Sequence, residues 1–288
     1  MHTGTIDGDE ILRERLKAIA DSFPDMAQTA RLYSAILPIL RGEEIPVLPT
    51  GLSQDEVRAR LEKGLPYLEG LELEGYIRRF AGLLTRLAAA AEKAGARVSA
   101  EKVSLLLDAE RDDDASAALQ TILAHDDELL GNRLERMGLD SDLFGFLAQT
   151  ALKPLLRAWC RRVAPLVVNV KWDRGTCFVC GSAPLFAELQ GNNQERHLRC
   201  GLCGADWRVE RLSCIHCRNE DHRSLKVFFQ NGPAGPRIEA CDRCMTYVKV
   251  IPAFSPTPVD LMPVEDLATL RLDAAAQERG YRRAAEAI

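Results

Sequence analysis

Nowhere in the 288 residues does an apolar run approach the roughly 18 that a bilayer-spanning helix requires, which argues against membrane insertion. The opening stretch, "MHTGTIDGDEILRERLKAIADSF", has acids where a secretory or transit peptide would carry basic and apolar segments, so the expected location is the cytoplasm. Basic residues are not in surplus either: 37 Lys and Arg stand against 42 Asp and Glu, for a formal charge of −5. Such a chain has no global field for holding nucleic acid or an anionic membrane, and any role of that kind would need a local patch. What is plentiful is apolar side chain, 47% of the total, enough to pack a core in the larger of about two domains.

Up to about residue 165 the pattern is helical. Ile77, Phe80, Leu84 and Leu87 recur three or four apart, as do Leu143, Phe144, Leu147, Leu152 and Leu155, with Leu32, Ile36 and Ile39 before them and Leu119, Ile122 and Leu123 between. Breaks are expected at Gly42, at Gly51 with Ser53, at Gly95, and at Asp140 or Ser141. About six helices follow, and Pro38 and Pro154, inside helical patterns, should kink them or end them early. A catalytic signature is absent from this half. The acids of "RDDDAS" and "HDDE" read as helix-start caps, and His125 beside Asp126 and Asp127 reads as a solvated helix-face residue.

Cysteine is the residue that is unevenly placed. Of nine, Cys160 stands alone in "LKPLLRAWCRRV" and reads as a small buried hydrophobe on a helix. The other eight form four Cys-x-x-Cys pairs within 68 residues: Cys177/Cys180, Cys200/Cys203, Cys214/Cys217 and Cys241/Cys244. In a reducing compartment such clustering speaks for metal or redox chemistry before a disulfide framework.

These pairs punctuate an internal repeat. "CFVCGSAPLFAELQGNNQERHLRCGLCGADWRVERL" and "CIHCRNEDHRSLKVFFQNGPAGPRIEACDRCMTYVKVI" each read as a Cys pair, a strand, a turn, a second strand, a second Cys pair and a third strand. The expected strands are "LFAELQ", "RHLRC" and "WRVERL", then "LKVFF", "RIEA" and "TYVKVI". Three short strands bury too little apolar surface to fold alone, so a metal must supply much of the folding free energy. Four thiolates closing a tetrahedron suit Zn²⁺ or a single iron, which gives two expected metal ions. The turns favour sequential use, Cys177, Cys180, Cys200 and Cys203 for one ion and Cys214, Cys217, Cys241 and Cys244 for the other; a cross-braced order is the alternative.

Finer features follow from the repeat. Gly181 and Gly204 supply the positive φ that a tight knuckle around sulfur requires, whereas Arg218 and Met245 occupy the matching places of the second copy, whose cage should be looser. His216 and His222 read as solvent-facing or outer neighbours, since four thiolates already complete the shell. Residues 171–251 carry twelve basic against nine acidic residues. Arg196, Arg199, Arg208 and Arg211 therefore read as offsetting two anionic cages, and Trp207, Phe228, Phe229 and Tyr247 as small ribbon cores. The end of the chain, "VEDLATLRLDAAAQERGY", reads as one amphipathic helix after the extended "PAFSPTPVDLMP".

The expected class is therefore α+β: a helical bundle domain over 1–165, a first four-cysteine metal ribbon over 166–212, a second over 213–254, and an extended segment with a C-terminal helix over 255–288. "CFVCGSAPLFAEL", "RHLRCGLCGADWRVERLSCIHC", "ACDRCMTYVKVI" and "VEDLATLRLDAAAQERGY" together resemble the bacterial formate dehydrogenase accessory protein FdhE family. The resemblance covers both ribbons and the C-terminal helix, with a helical first half of similar length. It implies a cytoplasmic, non-enzymatic maturation factor for the catalytic subunit of respiratory formate dehydrogenases, acting before export of that molybdenum or tungsten pterin subunit. It further implies rubredoxin-like iron sites at all eight paired cysteines, with a homodimer among the expected states.

Three other readings compete. A strict one-electron carrier would cycle one Fe(Cys)₄ centre, and four thiolates accept iron or zinc alike. A zinc-ribbon nucleic-acid binder would use the aromatics as stacking surfaces, against the acidic balance of the chain. A thiol–disulfide catalyst would place Cys-x-x-Cys at a helix start in a βαβ setting, whereas these pairs alternate with strands and turns.

Overall fold

The computed structural model describes residues 8–43, 45, 52–71, 74–107, 134–167, 170–229 and 232–283. The acid runs at 111–116 and 125–128, His125, and the apolar positions Leu119, Ile122 and Leu123 lie outside the described residues. The chain divides into two units, one of Met1–Leu48 with Leu71–Leu155, the other of Pro49–Gly70 with Leu156–Ile288.

The first unit is helical: α1 (Gly8–Ser22), α2 (Ala27–Arg41), α4 (Ile77–Lys93), α5 (Ala100–Leu106) and α6 (Ser141–Val163) as far as Leu155. Along α4 the expected spacing becomes a buried stripe of Phe80, Leu83, Leu84, Leu87 and Ala91. Its stops are those the residue types dictate. Gly42 closes α2, Gly95 follows α4 in the left-handed region at φ +86°, and the Asp140 carboxylate accepts from Leu143 N–H at 2.8 Å at the start of α6. Neither proline ends its helix: α2 continues three residues past Pro38 and α6 nine past Pro154, each helix forgoing the one backbone donor that proline lacks.

The second unit takes α3 (Gln54–Glu62), opened by a capping box in which Ser53 and Glu56 satisfy each other's backbone N–H. Tyr67 and Leu68 then donate their N–H groups to the carbonyls of Phe178 and Val179, at 2.8 and 2.9 Å, and the Tyr67 ring meets Trp159 at 5.5 Å. An extended edge from outside the repeat is thus laid against its first cysteine knuckle.

The repeat builds one sheet. β1 (Phe186–Gln190), β2 (Glu195–Arg199) and β3 (Asp206–Arg208) come from the first copy; β4 (Leu225–Phe229), β5 (Arg237–Cys241) and β6 (Thr246–Ala253) come from the second. The order is β3-β2-β1-β6-β5-β4, antiparallel within each copy and parallel at the junction, where Ala187 pairs with Val250 and Leu189 with Pro252. The first strand of one copy therefore receives the last strand of the other. Opposite its edge to β5, that last strand is long enough to serve two neighbours, since its eight residues pair at the far end with β1 and at the start, Thr246 and Tyr247, with β7 (Arg282–Arg283). Expected strands and observed strands agree closely except at "WRVERL", which leaves the ladder after Arg208. There the buried Arg196 guanidinium draws in the carbonyls of Glu210, Arg211 and Ser213 and turns the chain away.

The expected single C-terminal helix is two, α7 (Met262–Ala268) and α8 (Leu270–Gln277), broken at Thr269, whose φ of −111° and ψ of 16° leave the helical region. The cause is visible at the Asp266 carbonyl, which accepts from Lys249 Nζ at 2.9 Å, Thr269 Oγ1 at 3.1 Å and Thr269 N at 3.2 Å. Side-chain donors have replaced the backbone ladder. Leu272, Ala276 and Tyr281 then pack with Ile238, Ala240 and Tyr247 on one face of the sheet.

Candidate metal centres

Each copy gathers its own four cysteines. Cys177, Cys180, Cys200 and Cys203 form one cluster, Cys214, Cys217, Cys241 and Cys244 the other, with the four sulfurs of each all within 4.8 Å of one another. The sequential order is the one observed, and it answers the cross-braced alternative. The hairpin β1–β2 is what brings Cys200 to Cys180, because Leu185 N–H bonds to Arg199 O as the strands enter the knuckles. The hairpin β4–β5 does the same for the second set, with Leu225 opposite Cys241.

The spacing tests whether a metal fits. A metal–sulfur bond of about 2.3 Å puts the sulfurs of a tetrahedron about 3.8 Å apart. In the first cluster Cys177 and Cys203 are 3.4 Å apart and Cys180 and Cys200 3.5 Å; in the second, Cys214 and Cys244 are 3.6 Å apart and Cys217 and Cys241 3.7 Å. All nine cysteines are free. The sets are of the right chemistry and nearly the right size for one ion each, the second slightly wider, in keeping with its poorer knuckles.

Backbone geometry makes that difference concrete. Gly181 and Gly204 have φ of +78° and +77°, while Arg218 and Met245 are held in the same region at +56° and +55°. A left-handed non-glycine residue carries a strain of roughly 1–2 kcal/mol. At Gly204 an added Cβ would also lie 2.9 Å from both methyls of Val259. We expect Gly204→Ala to destabilise the metal-loaded protein by about 2 kcal/mol or more and Met245→Gly to stabilise it by up to about 1 kcal/mol, as read from urea melts.

Electrostatics say what an ion must do. Burial pushes the Cys177 and Cys203 thiols well up, while hydrogen bonds with Cys177, Cys200 and Cys203 pull Cys180 well down. In the second set burial pushes Cys214 up to about 12 and raises Cys217; Cys241 ends below the ordinary thiol, because backbone N–H groups of Cys244 and Arg243 outweigh its burial. Thiolates cannot accumulate side by side without a cation. Around them stand hydrogen-bond donors that would orient ligands: Val179 N–H to Cys177 at 3.4 Å, Cys203 N–H to Cys200 at 3.5 Å, Cys217 N–H to Cys214 at 3.5 Å and the Asn219 amide to Cys241 at 3.6 Å.

The sequence missed one neighbour. Cys160, half-buried on α6, stands near Cys203, whose thiol holds it below the usual thiol range against the opposing effect of burial. Arg157, three residues earlier, pairs with Asp260 at 2.7 Å and adds positive charge near Cys203. Helical i, i+3 spacing was the available signal.

Other expected roles sort themselves by contact. His216 and His222 are exposed and stand outside both clusters. Of the four arginines, Arg196 acts on Cys214 and pairs with Glu239 at 3.1 Å, whereas Arg199 is engaged by the buried Glu188 at 2.6 Å and Arg208 by Glu195 at 3.1 Å; Arg211 is exposed. Trp207 and Tyr247 are core and Phe228 is half-buried against Tyr281, but Phe229 is 45% exposed.

The full chain is similar to the protein FdhE homolog of Aquifex aeolicus, with 27% identity over 279 residues that cover 94% of this chain and 92% of that one. Residues 212–288, the second cluster and all that follows it, match the family described as FdhE, C-terminal domain. The likeness to FdhE proteins thus runs along the whole chain and is carried by the family model over its last quarter. The protein FdhE of Escherichia coli O127:H6 is 36% identical over 116 residues, a stretch covering 38% of this chain and 36% of that protein. The crystal structure of the FdhE protein from Pseudomonas aeruginosa has the same fold, with a TM-score of 0.65, 23% identity, and coverage of 99% of this chain and 96% of that one. Two four-cysteine sets thus stand on the fold seen in that FdhE crystal structure, and no described helix is long and apolar enough to cross a membrane.

Proposed function

We propose that this chain is an FdhE-family, non-enzymatic accessory protein that binds the catalytic subunit of a formate dehydrogenase in the cytoplasm, before that subunit is exported, with an iron or zinc ion in each four-cysteine set. The observation that carries the reading is the occurrence of two complete sets of four cysteines on a duplicated unit within a chain similar to FdhE proteins. In this role the metals are architectural: Cys177, Cys180, Cys200 and Cys203 would hold one, Cys214, Cys217, Cys241 and Cys244 the other, and each would clamp a hairpin to its knuckles. Bound iron would also supply one-electron chemistry, for which the second site is the better placed, since Cys217 and Cys244 are only half-buried.

Co-purification with the tagged catalytic subunit tests the reading. Wild-type protein is expected to be retained and a Cys200→Ser/Cys241→Ser variant to lose retention about tenfold or more. Equal retention of neither protein, with two metals bound in the wild type, would end the accessory assignment. Absorption spectra and elemental analysis of protein purified without air identify the ions, thiolate-to-iron bands marking a rubredoxin-like centre and a colourless protein marking zinc.

A further inference from the structure

The two copies of the repeat differ in one place that no ligand or strand accounts for. In the first, the face of the sheet beneath the knuckle carries two aromatic rings: Trp207 on β3, 5% exposed, meets Phe178 edge-on at 6.3 Å and donates its indole N–H to the carbonyl of Arg174 at 2.9 Å. Counting from the cysteines, Trp207 is four after Cys203 and Phe178 one after Cys177. The same positions in the second copy, four after Cys244 and one after Cys214, are Val248 and Ile215. Two aromatic rings are replaced by two aliphatic side chains, and the space they would fill remains as a cavity of about 160 Å³ lined by Ile215, Leu225, Val227, Val248 and the exposed Leu212.

Beside this cavity runs an open edge. β4 pairs with β5 alone among the described strands, whereas its counterpart β1 receives β6 in parallel register along the corresponding edge. Val227 and Phe229, on the cavity side of β4, are 47% and 45% exposed. The duplication thus presents the same edge twice, closed by the chain itself in one copy and paired with no described strand in the other. The rim is cationic, with Arg196, Arg211 and Arg237 against Glu239.

We propose that the second ribbon is a docking site for an extended segment of a partner polypeptide, laid parallel along β4 as β6 lies along β1, with one aromatic side chain seated in the cavity. Strand addition supplies main-chain hydrogen bonds without regard to sequence, and a side-chain pocket beside the edge supplies selection. The size agrees, because a dry apolar cavity of about 150 Å³ takes a benzene ring. The cationic rim favours an acidic residue next to the aromatic one. Only the identity of the partner rests on the accessory role proposed above.

The probe is N-acetyltryptophanamide, titrated into the full, metal-loaded chain carrying labelled Ile and Val methyl groups. Millimolar binding is expected, with shifts centred on Ile215, Val227 and Val248. Val248→Trp, which restores the filler of the first copy, should weaken probe binding by about tenfold or more while both metals are retained. Should that variant bind fewer metals than wild type, Ile215→Phe takes its place. Absence of shifts at those methyls, or shifts that persist undiminished in the filled variant, would overturn the cavity assignment. If the filled variant loses the probe yet captures the formate dehydrogenase subunit as well as wild type does, the docking proposal falls and the accessory role stands. Failure of wild type to capture that subunit, with probe binding intact, sinks the accessory role and leaves the site.

Discussion

Metal-free protein is expected to lack the ordered sheet of the second unit and to regain it on adding one equivalent of Zn²⁺ or Fe²⁺ per four-cysteine set. The expectation follows from size. β1 to β3 are five, five and three residues long, and the only stretches joining them to their knuckles are turns. A structural zinc of this kind contributes about 10–16 kcal/mol to folding near neutral pH, more than such strands can supply by burial. The sign of the pH dependence is set by the thiols. In the metal-free unit, without its sheet, the cysteines are ordinary thiols and protonated at neutral pH, so each ion must displace at least two protons from its set. Metal-bound thiolates titrate far below the free thiol, and the stability they confer is therefore lost as pH falls. With two protons displaced, apparent affinity should drop about a hundredfold for each unit of acidification. Circular dichroism and a chromophoric chelator, followed together from neutral to mildly acid pH, measure both. A sheet that survives complete removal of metal with its spectrum unchanged would overturn the architectural role of the two sites. Cys203→Ser, by contrast, should leave the second set able to bind, so that metal content falls by one ion.

The parts of this fold that sequence disclosed are those under the tightest local constraint. Four ligands around one ion demand two knuckles and a hairpin at fixed spacing, so the Cys-x-x-Cys pairs, the turns at Gly191 and Gly232, and the positive φ of Gly181 and Gly204 were all legible from residue type. The same holds for Ser53, Asp140 and Gly95, where a cap or a left-handed residue has few substitutes. Features set by distant partners were not legible. The parallel pairing of β1 with β6 joins residues some sixty apart and leaves no trace in either strand, because both read as ordinary alternating segments. Passage of Pro49–Gly70 into the second unit brings two backbone bonds to Phe178 and Val179, which any side chains would permit, and a ring contact of Tyr67 with the distant Trp159. Thr269 breaks an otherwise amphipathic pattern where its own hydroxyl and, from another element, Lys249 both reach the carbonyl of Asp266. Cys160 is a similar case: its helical neighbours explain its burial, and only the folded chain puts it beside Cys203.

Lys249→Met is expected to destabilise the second unit by about 3–5 kcal/mol. Lys249 lies on β6 with 1% of its surface exposed, a burial tolerated because its ammonium donates to Asp273 Oδ2 at 2.6 Å and to Asp266 Oδ1 at 2.5 Å. Asp273, 6% exposed, also accepts from the Tyr247 hydroxyl at 2.9 Å, and Asp266 from Arg283 at 2.5 Å. Two cations and two carboxylates thus balance between β6, β7 and the helix pair α7–α8. Methionine keeps the length and removes one charge, leaving Asp273 with the Tyr247 hydroxyl and only the more distant charge of Arg283. If the cost lies in that stranded carboxylate, then Lys249→Met with Asp273→Asn should recover a large part of it, because Arg283 still neutralises Asp266. A double-mutant cycle on metal-loaded protein measures the coupling, and additive effects would place the cost in lost packing instead. The readout should also be regional. Amide exchange is expected to rise first in α7 and α8, which this quartet ties to the sheet, while the knuckle amides stay protected for as long as metal is bound. The polar cluster thereby pins the C-terminal helices on one face of the second ribbon, and the other face carries the cavity beside the edge of β4 that no described strand pairs.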